Sequence, residues 1–260
     1  MYLKSDAFLA IGSNHLEAQY WQPEFYPPWC HLNVLRLIQA KMEPWGPEPH
    51  FHDGDEYWLF LYGLGEIGLG SMRTELRPNT VVYTPAGVVH RFQTHTPAQV
   101  VAAVGPLRGQ ERPGHLWLFD PERGKWPPPA PSPYNTDIQM VSDTVDIEAR
   151  GVGFVVDGGI NDRRHAWDST NGPLRELHCV QGSELDELRE PWAAQDTEFL
   201  LVAAGTVQVE HDGIKLELLP GDEVVVRGGT ETCLQASRDA VVVRASERST
   251  GPGPVSASDV

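Results

Sequence analysis

Short apolar runs punctuated by Gly and Pro dominate the chain. From Glu56 to Val104 they read EYWLFLYG, EIGLG, TVVYTP, HRFQTH and QVVAAV. Further along come GVGFVVDG, LRELHCVQG, EFLLVAAG, TVQVEH, IKLELLPG, DEVVVRGG, TCLQAS and AVVVRAS. Runs of this length, rich in β-branched and aromatic residues and bounded by turn formers, predict antiparallel β structure. Leu32–Met42 (LNVLRLIQAKM) predicts one more strand ahead of the first block. Its faces carry Leu32, Val34, Arg36, Ile38, Ala40 and Met42 on one side, and Asn33, Leu35, Leu37, Gln39 and Lys41 on the other. The first row is apolar except for Arg36 and is the better candidate to face inward. A guanidinium there needs a partner, either an internal carboxylate or a substrate carboxylate, unless the Arg36 end of the strand meets solvent. If the second row faces inward, Gln39 becomes the polar candidate.

The two β blocks are copies. An ungapped offset of 142 residues places Glu56 on Glu198, Gly63 on Gly205, Glu75 on Glu217 and Leu76 on Leu218. It also places Pro78 on Pro220, Val82 on Val224, Gly87 on Gly229 and Val100–Val101 on Val242–Val243. So many matches at one register imply an internal duplication of domain-sized units. Residues 1–105 are expected to hold the first domain and 137–246 the second. Residues 106–136 hold a Pro-rich stretch, Pro127 to Pro133, that cannot be a central strand or helix and reads as a linker. Residues 247–260 are small and polar and read as a disordered tail.

Composition narrows the partners. The chain has 260 residues, with 20 basic and 36 acidic side chains, for a formal charge of −16. That sign disfavours nucleic acid and anionic membrane surfaces. No run approaches the ~18 consecutive apolar residues of a spanning helix, and the start of the chain lacks the pattern of a secretory leader. Cys30, Cys179 and Cys233 are odd in number and dispersed. They suggest neither a disulfide framework nor a thiolate zinc site, and they fit a reducing compartment. A soluble cytoplasmic protein is expected.

The chemistry gathers in the first copy, in His50-Phe51-His52-Asp53-Gly54-Asp55-Glu56 and Pro85-Ala86-Gly87-Val88-Val89-His90. Two residues apart on a strand, His50 and His52 share a face. Glu56 follows across a Gly-containing bend, and a Pro-x-Gly turn brings His90 to the start of a strand. Three imidazoles and a carboxylate suit a first-row divalent ion with positions left for water or substrate.

His50-x-His52-x3-Glu56-x6-Gly63 and Asn79-x5-Pro85-x-Gly87-x2-His90 resemble the two motifs of the cupin superfamily. Pro44 stands where the first motif has a glycine, Asn79 where the second opens on one, and Thr94 where it often closes on Asn. Asn tolerates positive φ, so the turn at Asn79 can form. The resemblance implies an all-β chain of two tandem cupin jelly-roll β-barrels. It implies His50, His52, Glu56 and His90 as metal ligands, with Glu56 also the catalytic base, and one divalent transition metal per chain. Fe(II) is favoured, with Mn, Zn or Ni open. In the second copy Trp192, Ala194 and Thr232 replace the histidines, Arg227 replaces Pro85, and only Glu198 is retained, so that barrel is expected to hold no metal. If Glu56 and His90 face inward, Trp58, Phe60, Tyr62 and Phe92 do too. They line a substrate pocket or fill the core. The remaining histidines, His115 among them, are expected to be solvated or ordinarily hydrogen-bonded.

The resemblance implies a metalloenzyme acting on a small-molecule metabolite, with a dioxygenase placed first. A non-oxidative isomerase, lyase or cyclase and a non-enzymatic ligand-binding barrel are the alternatives. A homodimer is a state the family allows.

Overall fold

The computed structural model describes residues 2–12, 26–27, 29–30, 32, 34–41, 44, 46–69, 72–105, 115–117, 154–157, 160–161, 174–181, 183–186, 188, 191–193 and 195–247. The first half carries β1 (Tyr2–Lys4), β2 (Phe8–Ile11), β3 (Val34–Ala40), β4 (His50–Phe51), β5 (Glu56–Tyr62), β6 (Gly65–Leu69), β7 (Met72–Leu76), β8 (Thr80–Thr84), β9 (His90–Thr94), β10 (Ala98–Val104) and β11 (Leu116–Trp117). The second carries β12 (Phe154–Asp157), β13 (Ile160–Asn161), β14 (Leu174–Gln181), β15 (Trp192–Ala193), β16 (Glu198–Ala204), β17 (Val207–His211), β18 (Ile214–Leu218), β19 (Glu223–Val226), β20 (Glu231–Ala236) and β21 (Val241–Glu247). Among the described residues a single helical turn, Ser183–Asp186, interrupts this all-β series.

The strands form two antiparallel barrels, each of two sheets. The amino-terminal barrel pairs β12-β8-β5-β10-β3 with β11-β4-β9-β6-β7, and the carboxy-terminal one pairs β1-β2-β19-β16-β21-β14-β13 with β15-β20-β17-β18. The 142-residue offset reappears in the hydrogen-bond register. His50 faces His90 as Trp192 faces Thr232. Glu56 faces Thr84 as Glu198 faces Val226, and Gly65 faces Leu76 as Val207 faces Leu218. The duplication is therefore one of backbone geometry as well as of residues.

β8, β10 and β16 are buried on both faces, which is why TVVY, VVAAV and FLLVAA read as continuous apolar runs rather than alternating ones. One parity (Trp58, Phe60, Val82, Val100, Ala102) packs with Ile67, Leu69, Leu76 and Phe92 inside the amino-terminal barrel. The other (Tyr57, Leu59, Val81, Tyr83, Val101, Ala103) packs against Leu174, Leu177, Phe199, Leu201, Val225 and Val243 of the second barrel. Each such side chain removed from water contributes about 1.5–3 kcal/mol. The barrels are thus joined back to back, leaving each interior independent.

Strand membership departs from the expected boundaries. β2 pairs with β19 (Phe8↔Val226 to Ile11↔Glu223), so residues 2–11 belong to the carboxy-terminal barrel's sheet rather than to the first domain. Reciprocally, β12 pairs with β8 of the amino-terminal barrel. The sheets that hold β8 and β19 each receive a strand from the other half, which covers an edge that would otherwise expose unpaired backbone groups. Within the expected linker, Leu116–Trp117 is a strand paired with β4. Residues 118–136 and 248–260 lie outside the described residues, while Glu247 closes β21.

Candidate metal centre

β4 is two residues long, yet it sets the site. His50 is the direct cross-strand partner of His90, and His52 lies one pleat further on the same face. The loop after His52 is tied to the turn before His90. The Gly87 amide donates to the His52 carbonyl at 2.9 Å. The Ala86 amide donates to Asp55 Oδ1 at 3.0 Å, and the Gly105 amide donates to the Asp55 carbonyl at 2.8 Å. Asp55, fully buried, therefore clamps both ligand-bearing segments. Sequence reasoning passed over it, although a second acidic residue in a Gly-containing bend is the type that hydrogen-bonds neighbouring amides.

The donor atoms of His50, His52, Glu56 and His90 lie within 4.8 Å of one another, and all four residues are buried. Glu56 Oε2 is 3.1 Å from His52 Nε2 and 3.0 Å from His90 Nε2. His50 Nδ1 hydrogen-bonds the Glu48 carbonyl at 2.6 Å, and His90 Nδ1 the Val88 carbonyl at 3.0 Å. A carbonyl only accepts, so these Nδ1 atoms carry the protons and turn Nε2 lone pairs toward the centre. Burial, with His90 and His52 alongside, pushes His50 down to about 2, so it is neutral at pH 7. Burial alone would raise the Glu56 carboxyl, but His52 and His90 hold it well below the usual carboxylate range. Three imidazoles and one ionised carboxylate, buried together with the proton-bearing nitrogens of two rings turned outward, are the donor chemistry a divalent cation requires.

His115 was expected to be unremarkable, and the structure corrects this. It precedes β11, and extending the Leu116↔Phe51 register by one residue sets it opposite His52. Its ring centroid is 4.4 Å from that of His50 and 5.1 Å from that of His52, yet it lies outside the group of four. Burial, with His52 next, pushes it down to about 4. The alternation in His115-Leu116-Trp117-Leu118 was the available signal.

Of the other candidates, Trp58 stacks on Phe92 at 5.0 Å and Phe60 packs on Phe92 at 5.3 Å, all buried in the barrel interior. Arg36 lies on the inward row with Ile38 and Ala40, across from Ala102. Gln39 lies on the opposite row and is exposed, so it does not line the interior. Tyr62 shares the Glu56 parity but is 65% exposed where β5 leaves the barrel. At the second motif, Asn79 has φ 68°, while its counterpart Gly221 has φ 90°. The glycine sought at position 44 is needed at 46, where an added Cβ would lie 1.8 Å from the Phe92 carbonyl oxygen.

Residues 39–104 match the family model described as Cupin domain. The amino-terminal barrel is a cupin domain. Solved structures extend the likeness in fold across the chain. The Mn(II)-containing oxalate decarboxylase of Bacillus subtilis aligns with a TM-score of 0.56 at 12% identity, over 97% of this chain and 76% of that one. An oxalate decarboxylase studied for proton-coupled electron transfer gives 0.55 at 12%, over 94% and 74%. No curated protein sequence matches the chain. Among the described residues, no helix is long and apolar enough to cross a membrane. The chain therefore folds as two barrels, of which the amino-terminal one carries both the match to the cupin domain and the group of four donors.

Proposed function

We propose that this cupin is a metal-dependent enzyme acting on a small metabolite that chelates one divalent ion held by His50, His52, Glu56 and His90. The observation that carries the reading is the burial of those four donors within 4.8 Å of one another. The bound ion would supply Lewis-acid polarisation and, with Fe(II) or Mn(II), redox chemistry. Glu56, the only carboxylate of the four, is assigned to accept a substrate proton. The carbonyls of Glu48 and Val88 hold the imidazoles in the ligating tautomer. The Trp58–Phe92 stack backs the interior with apolar surface that excludes water.

The donor set supports an Fe(II) oxygenase as the first reading. Likeness in fold to Mn(II) oxalate decarboxylase supports a second, a non-oxidative lyase or isomerase on a hydroxycarbonyl or carboxylate. Elemental analysis of protein purified without chelators, followed by turnover of small chelating acids with and without oxygen, separates them. Oxygen uptake coupled to product supports the first reading, and undiminished anaerobic turnover the second. Protein without stoichiometric metal would overturn both.

A further inference from the structure

Two polar groups inside the barrel of the four donors make no hydrogen bond within the described fold. Trp58 Nε1 and Thr84 Oγ1 are buried, with the residues 2% and 1% exposed, and neither atom makes a hydrogen bond among the described residues. Each such group costs about 1–3 kcal/mol when buried unsatisfied. Both residues are on the inward face. Thr84 is the direct cross-strand partner of Glu56, and Trp58 follows Glu56 by one pleat, opposite Val82. The duplication supplies an internal control: the corresponding residues of the second barrel are Leu200 and Val226, both in its apolar core. The fold therefore closes around apolar residues at these positions. The polar pair occurs in the barrel that carries the four donors.

We propose that Trp58 and Thr84 form a polar subsite beside Glu56 that receives the oxygens of a small carboxylate-bearing substrate. An indole N–H only donates, so its partner presents an acceptor; the Thr84 hydroxyl adds a second donor. A ligand that also reaches a dication held by the adjacent Glu56 carries oxygen lone pairs on neighbouring atoms. A carboxylate meets both demands in a small volume, and the Trp58–Phe92 stack leaves an apolar boundary around it. The subsite rests on the metal reading above and adds the chemical class of the substrate.

The test uses the full chain loaded with Co(II), whose visible absorption reports exogenous ligands, and oxalate as the probe. Thr84→Val keeps the side-chain size and Trp58→Phe keeps an aromatic, though smaller, ring, while each removes the hydrogen-bonding atom. Both variants should hold one Co(II) per chain, and Thr84→Val should melt no lower than wild type without oxalate, because an unsatisfied group has been removed with the side-chain volume kept. Each should bind oxalate about tenfold or more weakly, while Thr84→Ser retains wild-type affinity. Oxalate affinity within about twofold of wild type in either variant would overturn the paired subsite. So would a lowered melting temperature of ligand-free Thr84→Val, which would mark the hydroxyl as structural. Wild-type protein that binds no Co(II) would overturn the metal assignment itself, and would be seen before any variant is compared.

Discussion

Trp192 faces Thr232 across β15 and β20 in the register in which His50 faces His90 across β4 and β9. The second barrel thus keeps the frame of the site and has lost its donors. Glu198 keeps the place of Glu56 but accepts a hydrogen bond from Trp192 Nε1 at 3.1 Å and pairs with the Arg244 guanidinium. Position 244 corresponds to Ala102 in the first barrel, a small residue without a charge to offer Glu56. A fixed guanidinium in one copy answers the carboxylate that a mobile cation is proposed to answer in the other.

Metal stoichiometry tests this contrast. Purified protein should hold one divalent ion per chain by elemental analysis. His52→Ala and His90→Ala should lose it while melting cooperatively. Thr232→Ala and His115→Ala should keep the full equivalent, the first because its barrel lacks imidazole donors at these positions and the second because His115 lies outside the group of four. Metal retained in both His52→Ala and His90→Ala would refute the ligand assignment.

Arg244→Ala should be costly. It strips a nearly fully buried carboxylate, Glu198, of its cationic partner. Removing one member of such a pair costs roughly 3–5 kcal/mol, and the partial exposure of Arg244 favours the lower end. Replacing both residues, Glu198→Leu with Arg244→Met, should recover most of the loss. Urea denaturation of the single and double variants measures both effects. A double variant as unstable as Arg244→Ala would show that the ion pair was not the cause.

Asp55 should control affinity without touching the ion. Its carboxylate fixes the Ala86 amide, and its carbonyl fixes that of Gly105. Asp55→Ala is expected to weaken metal binding about 10–100-fold, the usual penalty for losing a group that orients ligands. Competition with a chromophoric chelator reads this directly. Affinity unchanged within about twofold would make Asp55 a purely structural residue.

What was legible in the chain follows from locality. The four donors were legible because i, i+2 spacing on a strand and a Pro-x-Gly turn are local facts. The likeness of the two barrels was legible because one offset carried it. Asn79 could be read as a left-handed turn residue because its side chain tolerates that conformation. The exchange of β2 and β12 was not legible, since FLAI and FVVD carry no information about which edge they join. His115 was hidden by the Pro-rich segment after it, and Arg244 by the apolar VVV run before it. Gly46 escaped because its need arises from the Phe92 backbone, far along the chain.

The join between the barrels holds a buried carboxyl whose titration sets part of the stability. The Tyr26 hydroxyl donates to Glu223 Oε2 at 2.9 Å and accepts from the Leu35 amide at 3.0 Å, with all three residues buried. Burial raises the Glu223 carboxyl to about 8, with the Tyr26 hydrogen bond opposing part of the rise. An unfolded Glu titrates near ~4.3. Between that value and about 8 the folded chain holds a proton that the unfolded chain has released, so stability falls as pH rises through this window and levels off above it. Glu223→Gln keeps an acceptor for Tyr26 and removes the titration. Its stability relative to wild type should therefore increase steadily from pH 5 to pH 8.5, by on the order of a few kcal/mol. Urea midpoints of the two proteins at matched pH cancel the contribution of every other titrating group. A difference that stays constant across that range would mean that Glu223 is ionised in the folded protein at all of them.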